Sequence, residues 1–96
     1  MIAPEDILEQ LLQECGYETF VIGKRNRWSR VRAIDYSVVN HKLEFVMAIN
    51  PEGNVWLGRA SLGPEFNVNI YDADSVDRLK EELTKMMEQH RAIHQR

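Results

Sequence analysis

One short segment of the chain, which we predict to be a loop, combines several cations with an aromatic ring. Residues 24–32, KRNRWSRVR, contain five of the twelve basic residues. Guanidinium groups bind carboxylates and phosphates through paired hydrogen bonds, and an indole can stack on a base. The segment therefore predicts a site for an acidic protein partner or for a nucleic-acid backbone. The alternative is a solvated loop whose charges offset those of an acidic helix. The candidate binding residues are Arg25, Arg27, Trp28, Arg30 and Arg32.

The second candidate site is a patch of small and apolar residues around Trp56. Tryptophan is enriched at the energetically dominant positions of protein interfaces, and small neighbours let a partner approach closely. The patch predicts a protein contact, with homodimerisation as its leading form, and the alternative is an indole that braces the sheet. Its members are Val46, Ala48, Trp56 and Ala60, with Val21 beside them and a rim of Asp35, Glu44, Asn67 and Asn69.

Two histidines one helical turn apart form a third candidate. Imidazoles at the spacing of His90 and His94 lie on one side of a helix and can share a metal ion. The sequence shows no third ligand, and the glutamate of the HExxH motif is missing. We expect His90 to end the apolar stripe of the last helix and His94 to lie at its fraying end. We expect no metal and no other cofactor.

The motifs that usually carry catalysis are missing from the sequence. It contains no glycine-rich phosphate loop, no nucleophile elbow and no CxxC pair. A small sheet with one open face rarely encloses a substrate. We therefore expect a binding or regulatory module and not an enzyme.

Trp56 belongs to the best-defined hairpin of the chain, residues 42–62. Asn50-Pro51-Glu52-Gly53 has the composition of a type I turn followed by a bulge, where Gly53 supplies a positive φ. If residues 51–53 form the loop, Ala48 lies opposite Trp56 and the next pair is Val46 with Gly58. Side chains alternate between faces, so one face is apolar and the other carries Trp56. The apolar face holds Leu43, Phe45, Met47, Ile49, Val55 and Leu57.

The strand before this hairpin is predicted to cover residues 31–39. Asn40 and His41 can form a two-residue turn, because asparagine tolerates a positive φ. The resulting register would bring three apolar pairs onto the core face, and a slip of one residue would reverse the faces. These pairs are Val38 with Leu43, Tyr36 with Phe45 and Ile34 with Met47. Ala33, Asp35 and Ser37 would then share the face of Trp56.

Apolar residues at helical spacing predict a helix near each end of the chain. The first covers residues 4–15, begins at Pro4 and stops before Gly16. The last follows a cap at Asp72 or Asp74 and continues through the stripe that includes Leu79 and Leu83. Alternating residues predict further strands at about 17–24 and 66–71.

These elements predict an α+β fold with the order α-β-β-β-β-β-α. Short connections make the strands a five-stranded antiparallel meander, and both helices need an apolar surface to cover. We expect a two-layer sandwich with both helices on one face and the Trp56 face uncovered. The order of elements is similar to that of the frataxin-like fold, and type III secretion chaperones combine helices and sheet comparably. The frataxin-like resemblance implies a metal-handling protein whose acidic first helix offers Glu5, Asp6, Glu9 and Glu14.

Length and composition predict one globular domain over residues 1–96. The hydrophobic content is 44%, the charged content 28% and the net charge −3, as in ordinary soluble domains. No apolar run approaches membrane-spanning length, and MIAPEDILEQ does not resemble a secretory signal. A lone cysteine, Cys15, excludes an internal disulfide and favours a reducing compartment. We expect a cytoplasmic protein that does not bind membranes.

The sequence favours a small non-enzymatic protein-interaction module, acting as an adaptor, inhibitor or chaperone-like regulator. It would bind through the Trp56 patch and the arginine-rich segment. The first alternative is a nucleic-acid-binding module using Lys24 to Arg32, which the negative net charge disfavours. The second is the acidic-helix metal-handling protein of frataxin-like topology.

Overall fold

The computed structural model describes residues 2–57 and 68–94. Its strands pair antiparallel in chain order and make one five-stranded sheet. This confirms the predicted α+β fold and its order of elements. The elements are α1 (Pro4–Glu14), β1 (Glu18–Arg25), β2 (Trp28–Asp35), β3 (Leu43–Ile49), β4 (Asn54–Leu57), β5 (Val68–Asn69) and α2 (Ala73–His94). The predicted strand residues 58–62 and 66–67, and with them Ala60 and Asn67, lie outside the described residues.

Both helices pack on the same face of the sheet. Leu12 of α1 and Leu83 of α2 are fully buried, and they belong to one apolar cluster with Met47 of β3. The Tyr17 hydroxyl donates a 2.6 Å hydrogen bond to the carbonyl of Leu83. The Tyr17 ring meets Phe45 edge-on, with 5.2 Å between the ring centroids. The sandwich therefore has two layers, with α1, α2 and the sheet sharing a single core.

The ends of the helices follow the predicted signals. Pro4 opens α1, and Gly16 follows its last turn with a φ of +100° that favours glycine. The Asp72 carboxylate caps α2 by accepting a 3.0 Å hydrogen bond from the Ser75 N–H. Hydrogen bonds from Ser75 also hold the pKa of Asp72 below its usual value. Neither helix in the described part of the chain is long and apolar enough to cross a membrane.

The β3–β4 hairpin has the predicted turn and register. Gly53 has a φ of +87° and donates a 2.9 Å backbone hydrogen bond to the Asn50 carbonyl. The Asn50 side chain accepts a 2.9 Å bond from the Asn54 N–H. Ala48 then lies directly opposite Trp56. The predicted pairs beyond Leu57 lie outside the described residues.

The predicted register between β2 and β3 is wrong. Met47 lies opposite Val31 and not opposite Ile34, a displacement of three residues along β2. An odd displacement exchanges the two faces, so Val31, Ala33 and Asp35 are the residues that lie on the core side. Asp35, predicted to rim the Trp56 face, is only 3% exposed. Tyr36, predicted for the core, is 55% exposed.

A local hydrogen-bonding turn explains why β2 ends early. The Asp35 carboxylate accepts bonds of 3.0 Å from the Ser37 N–H and 2.9 Å from the Ser37 hydroxyl. Such side-chain bonds compete with a continued strand ladder. Residues 36–42 therefore form a connection, in which the His41 N–H bonds to the Val38 carbonyl at 3.2 Å and Asn40 has a φ of +67°. The sequence correctly places a positive φ at Asn40 but not the long connection around it.

The arginine-rich segment is also not the loop that was predicted. Strand β1 continues to Arg25 and strand β2 begins at Trp28, so only Asn26 and Arg27 lie between them. Asn26 takes the positive φ of this tight turn, +57°. The rest of residues 24–32 is paired strand. Arg25, Arg30 and Arg32 therefore lie on one face of the sheet, Lys24 lies on the other, and Arg27 lies in the turn.

We expect Leu83→Ala to destabilise the protein by about 2–5 kcal/mol, because it leaves a cavity in the core. The matched control is Trp56→Ala, which truncates a side chain that is 61% exposed and should cost about 1 kcal/mol or less. Urea unfolding followed by circular dichroism measures both variants. Equal destabilisation by the two substitutions would contradict the assignment of the two faces.

Candidate functional site

The face of the sheet opposite the helices, called the open face here, carries side chains in rows that cross the strands. Directly opposite residues on neighbouring strands share a face, so the ladder pairs define the rows. No described helix covers this face, because α1 and α2 both pack on the other. Among the described residues, this face carries Arg25–Trp28, Gly23–Arg30–Ala48–Trp56, Phe20–Arg32–Val46, Glu18–Ile34–Glu44 and Asn54–Asn69.

A cavity of about 350 Å³ lies at one end of the open face. Ala48 separates Arg30 from Trp56 in its row, and its methyl group leaves a depression between two long side chains. Trp28, two residues before Arg30 on β2, points to the same face. We call this cavity the indole pocket. Its lining residues are Arg25, Asn26, Trp28, Arg30, Ala48 and Trp56.

The arginines of the segment differ in whether they already have a partner. Arg27 forms an ion pair with Glu52, which links the β1–β2 turn to the β3–β4 turn. The hydrogen bond from Arg27 holds the pKa of Glu52 below its usual value. The Nε of Arg32 lies 3.7 Å from a Glu44 carboxylate oxygen. In the described part of the chain, the guanidinium groups of Arg25 and Arg30 have no ion-pair or hydrogen-bond partner.

The opposite end of the open face carries two carboxylates, one of which is already paired with cations. Glu18 and Glu44 flank Ile34 in the last row, and Glu44 lies 3.2 Å from the Lys42 ammonium group and 3.7 Å from Arg32 Nε. Ile34 is only 5% exposed, although its row lies on the face opposite the helices. The face therefore changes from two unpaired guanidinium groups at one end to carboxylates at the other.

The structure brings two separately predicted sites together. Five of the predicted residues line the indole pocket, and Asn26 joins them without having been predicted. Arg27, Arg32 and Val46 lie outside the pocket, the first two with carboxylate partners. Val21, which was predicted to lie beside the Trp56 patch, lies opposite Val31 and therefore on the helix side of the sheet. The five predicted residues in the pocket are Arg25, Trp28, Arg30, Ala48 and Trp56.

The acids of α1 are partly engaged with neighbouring residues. Glu9 accepts a 2.9 Å hydrogen bond from the Thr19 hydroxyl, and Glu14 lies 3.7 Å from the Lys80 ammonium group. Burial raises the pKa of the Cys15 thiol at the end of this helix. Within residues 2–57 and 68–94, no group of three or more histidine, cysteine, aspartate or glutamate side chains is arranged to hold a metal ion.

All three histidines meet where α2 ends against residues 36–42. The rings of His41 and His94 stack with 4.3 Å between their centroids, and His90 lies 4.5 Å from His94. The His90 ring nitrogen Nε2 contacts the His41 carbonyl oxygen. The sequence missed His41, because the wrong register placed it in a tight hairpin turn. Stacked rings direct their nitrogen lone pairs side by side, which does not suit a shared metal ion.

Comparison of the chain with protein-family models, with curated proteins and with solved structures finds no match in any of the three.

Acidification should loosen the contact between the end of α2 and residues 36–42. Desolvation, followed by repulsion from His41 and His90, lowers the pKa of His94. Neutral His94 therefore contributes fully to the stability of this contact above the ordinary histidine pKa of about 6.5. This contribution is lost as the pH falls from there through the lowered pKa of His94. Nearby Arg91, whose Nε donates a 2.9 Å bond to the Ser37 hydroxyl, adds a further positive charge.

Hydrogen exchange measured as protection factors at pH 7.5 and 5 checks this expectation. Protection of amides 90–94 should fall relative to that of amides 79–83 in the same helix. His94→Gln should remove most of the pH dependence while keeping the helix. Protection at 90–94 that is unchanged or higher at pH 5 would contradict it.

Proposed function

We propose that the protein is a small non-enzymatic interaction module that binds another protein through its open face, as an adaptor, inhibitor or chaperone-like regulator. The observation that supports this is the indole pocket, where two indoles and two unpaired guanidinium groups surround an alanine floor. Tryptophan and arginine are the residue types most enriched among the energetically dominant positions of protein interfaces.

The rigidity of the pocket also favours binding. Trp28, Arg30, Ala48 and Trp56 lie on hydrogen-bonded strands, and Trp28 is half-buried before any partner arrives. Ordering flexible side chains weakens association, so a pocket on paired strands loses less conformational entropy than one on a mobile loop. Trp56 is 61% exposed and offers a large apolar surface for a partner to cover.

The lining of the pocket supports binding over catalysis. Arginine, asparagine, tryptophan and alanine side chains line it, and none of these is a nucleophile or exchanges a proton near neutral pH. The carboxylates Glu18 and Glu44 lie at the other end of the face. We place the module in the cytoplasm because its half-buried thiol suits a reducing compartment.

The main rival function is binding of single-stranded nucleic acid, since indoles and guanidinium groups also stack on bases. Nucleic-acid sites usually present a longer positive surface along the phosphate backbone. Here Arg27 and Arg32 already lie against carboxylates, and Glu18 and Glu44 follow along the face. The unpaired guanidinium groups of the indole pocket are only two, and together with the net charge of −3 they favour a protein partner.

A second copy of the chain is one partner that the open face could take. Pairing of two open faces would bury Trp56 and give a dimer with an isologous interface. Light scattering at increasing concentration, repeated for Trp56→Ala, measures this directly. A mass that doubles in the natural protein and not in the variant would identify the homodimer form of the proposal.

We expect a displayed library of random peptides, selected on the natural protein, to yield binders that Trp56→Ala no longer retains. Truncation of an interface tryptophan typically costs more than about 2 kcal/mol of binding. Tyr71→Ala is the matched control, because it truncates an aromatic side chain that is also more than half exposed but lies outside the pocket. Binders that both variants keep equally, or a library that yields none, would contradict the proposal.

A further inference from the structure

We propose that the indole pocket selects an acidic protein segment in which one aromatic side chain is flanked by carboxylates. This inference rests on the proposed function, and it specifies the chemistry of the partner. It follows from three features of the pocket: its apolar walls, its two unpaired cations, and the carboxylates that limit how far an anion can extend along the face.

The walls of the pocket favour an aromatic anchor. Trp28 and Trp56 present two indoles to one cavity of about 350 Å³, a volume large enough to admit a single aromatic side chain. Aromatic rings prefer offset or edge-to-face contact with other rings. The alanine floor at Ala48, 9% exposed, lets the anchor reach the backbone of the sheet. A cationic side chain in this position would be repelled by Arg25 and Arg30, which line the same cavity.

The cations of the pocket favour carboxylates beside that anchor. Arg25 lies directly opposite Trp28, and Arg30 lies two residues farther along β2 on the same face. The two arginines therefore flank Trp28 on the open face, one across the ladder and one along β2. Guanidinium and carboxylate groups form paired, charge-assisted hydrogen bonds. Neither arginine has a partner among the described residues, so binding an acid does not require breaking an existing ion pair.

The carboxylates of Glu18 and Glu44 at the far end of the face favour a short acidic segment over a long polyanion. Arg30 and Ile34 are four residues apart on β2, which corresponds to about 13 Å at roughly 3.3 Å per residue. An extended phosphate backbone that crossed the face would therefore meet Glu18 and Glu44, which flank Ile34. An acidic segment with few charges can remain at the arginine end.

Fluorescence anisotropy of three short labelled peptides tests the inference. The first has a central phenylalanine between pairs of aspartates, the second replaces phenylalanine with alanine, and the third replaces every aspartate with asparagine. We expect the first to bind at least about tenfold more tightly than either of the others, and we expect its affinity to fall with added salt. A labelled single-stranded oligothymidylate serves as the nucleic-acid probe.

Two variants of the pocket and one matched control locate the binding. Arg25→Gln combined with Arg30→Gln should weaken the acidic aromatic peptide at least about tenfold, while leaving the asparagine peptide unchanged. Ala48→Ile fills the floor with a residue that suits a strand, and it should weaken both aromatic peptides. Arg27→Gln removes the same type of charge outside the pocket and should have little effect on either. Circular dichroism confirms that each variant is folded.

The outcomes separate this inference from the proposed function. If the asparagine peptide binds as well as the acidic one and Ala48→Ile weakens both, the face binds protein but the acidic preference is wrong. If only the oligothymidylate binds, both proposals are wrong. If the acidic aromatic peptide does not bind at all, or binds equally to the double arginine variant, the inference is overturned.

Discussion

The alternation of side chains along β2 is the constraint on which the rest of the structure depends. Because Val31, Ala33 and Asp35 face the helices, Trp28, Arg30 and Arg32 must face the other way. The ladder then places Arg30, Ala48 and Trp56 in one row across three strands. Two segments that lie far apart in the chain become one surface for this reason. Burial of Val31 and Met47 in the core holds the register, since a slip would expose both.

The register of β2 decides which side chains of the open face have no partner, and these side chains determine the chemistry of that face. Intramolecular carboxylates lie against Arg27 and Arg32, whereas Arg25 and Arg30 lie beside indoles. Ala48 is a small residue between the long side chains of Arg30 and Trp56, so it leaves a depression in the open face. This depression does not extend into the core. The ion pair between Arg27 and Glu52 is exposed and weakly stabilising, but it joins the β3–β4 turn to the β1–β2 turn, whose Asn26 lines the pocket. The two ends of the open face therefore differ: the indoles and unpaired guanidinium groups lie at one end, and Glu18 and Glu44 lie at the other.

Local signals in the sequence were sufficient for most of the fold. Pro51 and Gly53 specify their turn, Gly16 and Asp72 specify helix ends, and the apolar stripes specify which sides of the helices are buried. The β2 register was not predictable in the same way, because it depends on the Asp35 carboxylate bonding to Ser37 and ending the strand. Tyr36 and Val38 extend the alternating apolar pattern of β2 in the sequence, but the strand itself ends at Asp35. The union of the two predicted sites, and the meeting of His41 with His94, depend on that register and were therefore missed.

Cross-strand nuclear Overhauser effects between β2, β3 and β4 in solution test the strand register most directly. The described register predicts backbone contacts of Ala48 with Arg30 on one side and with Trp56 on the other, which place the arginine-rich segment and the second indole on one face. Contacts between Met47 and Ile34 in place of Met47 and Val31 would reverse the faces of β2. That result would place Arg30 on the helix side of the sheet. The indole pocket would then not exist, and the described register would be wrong.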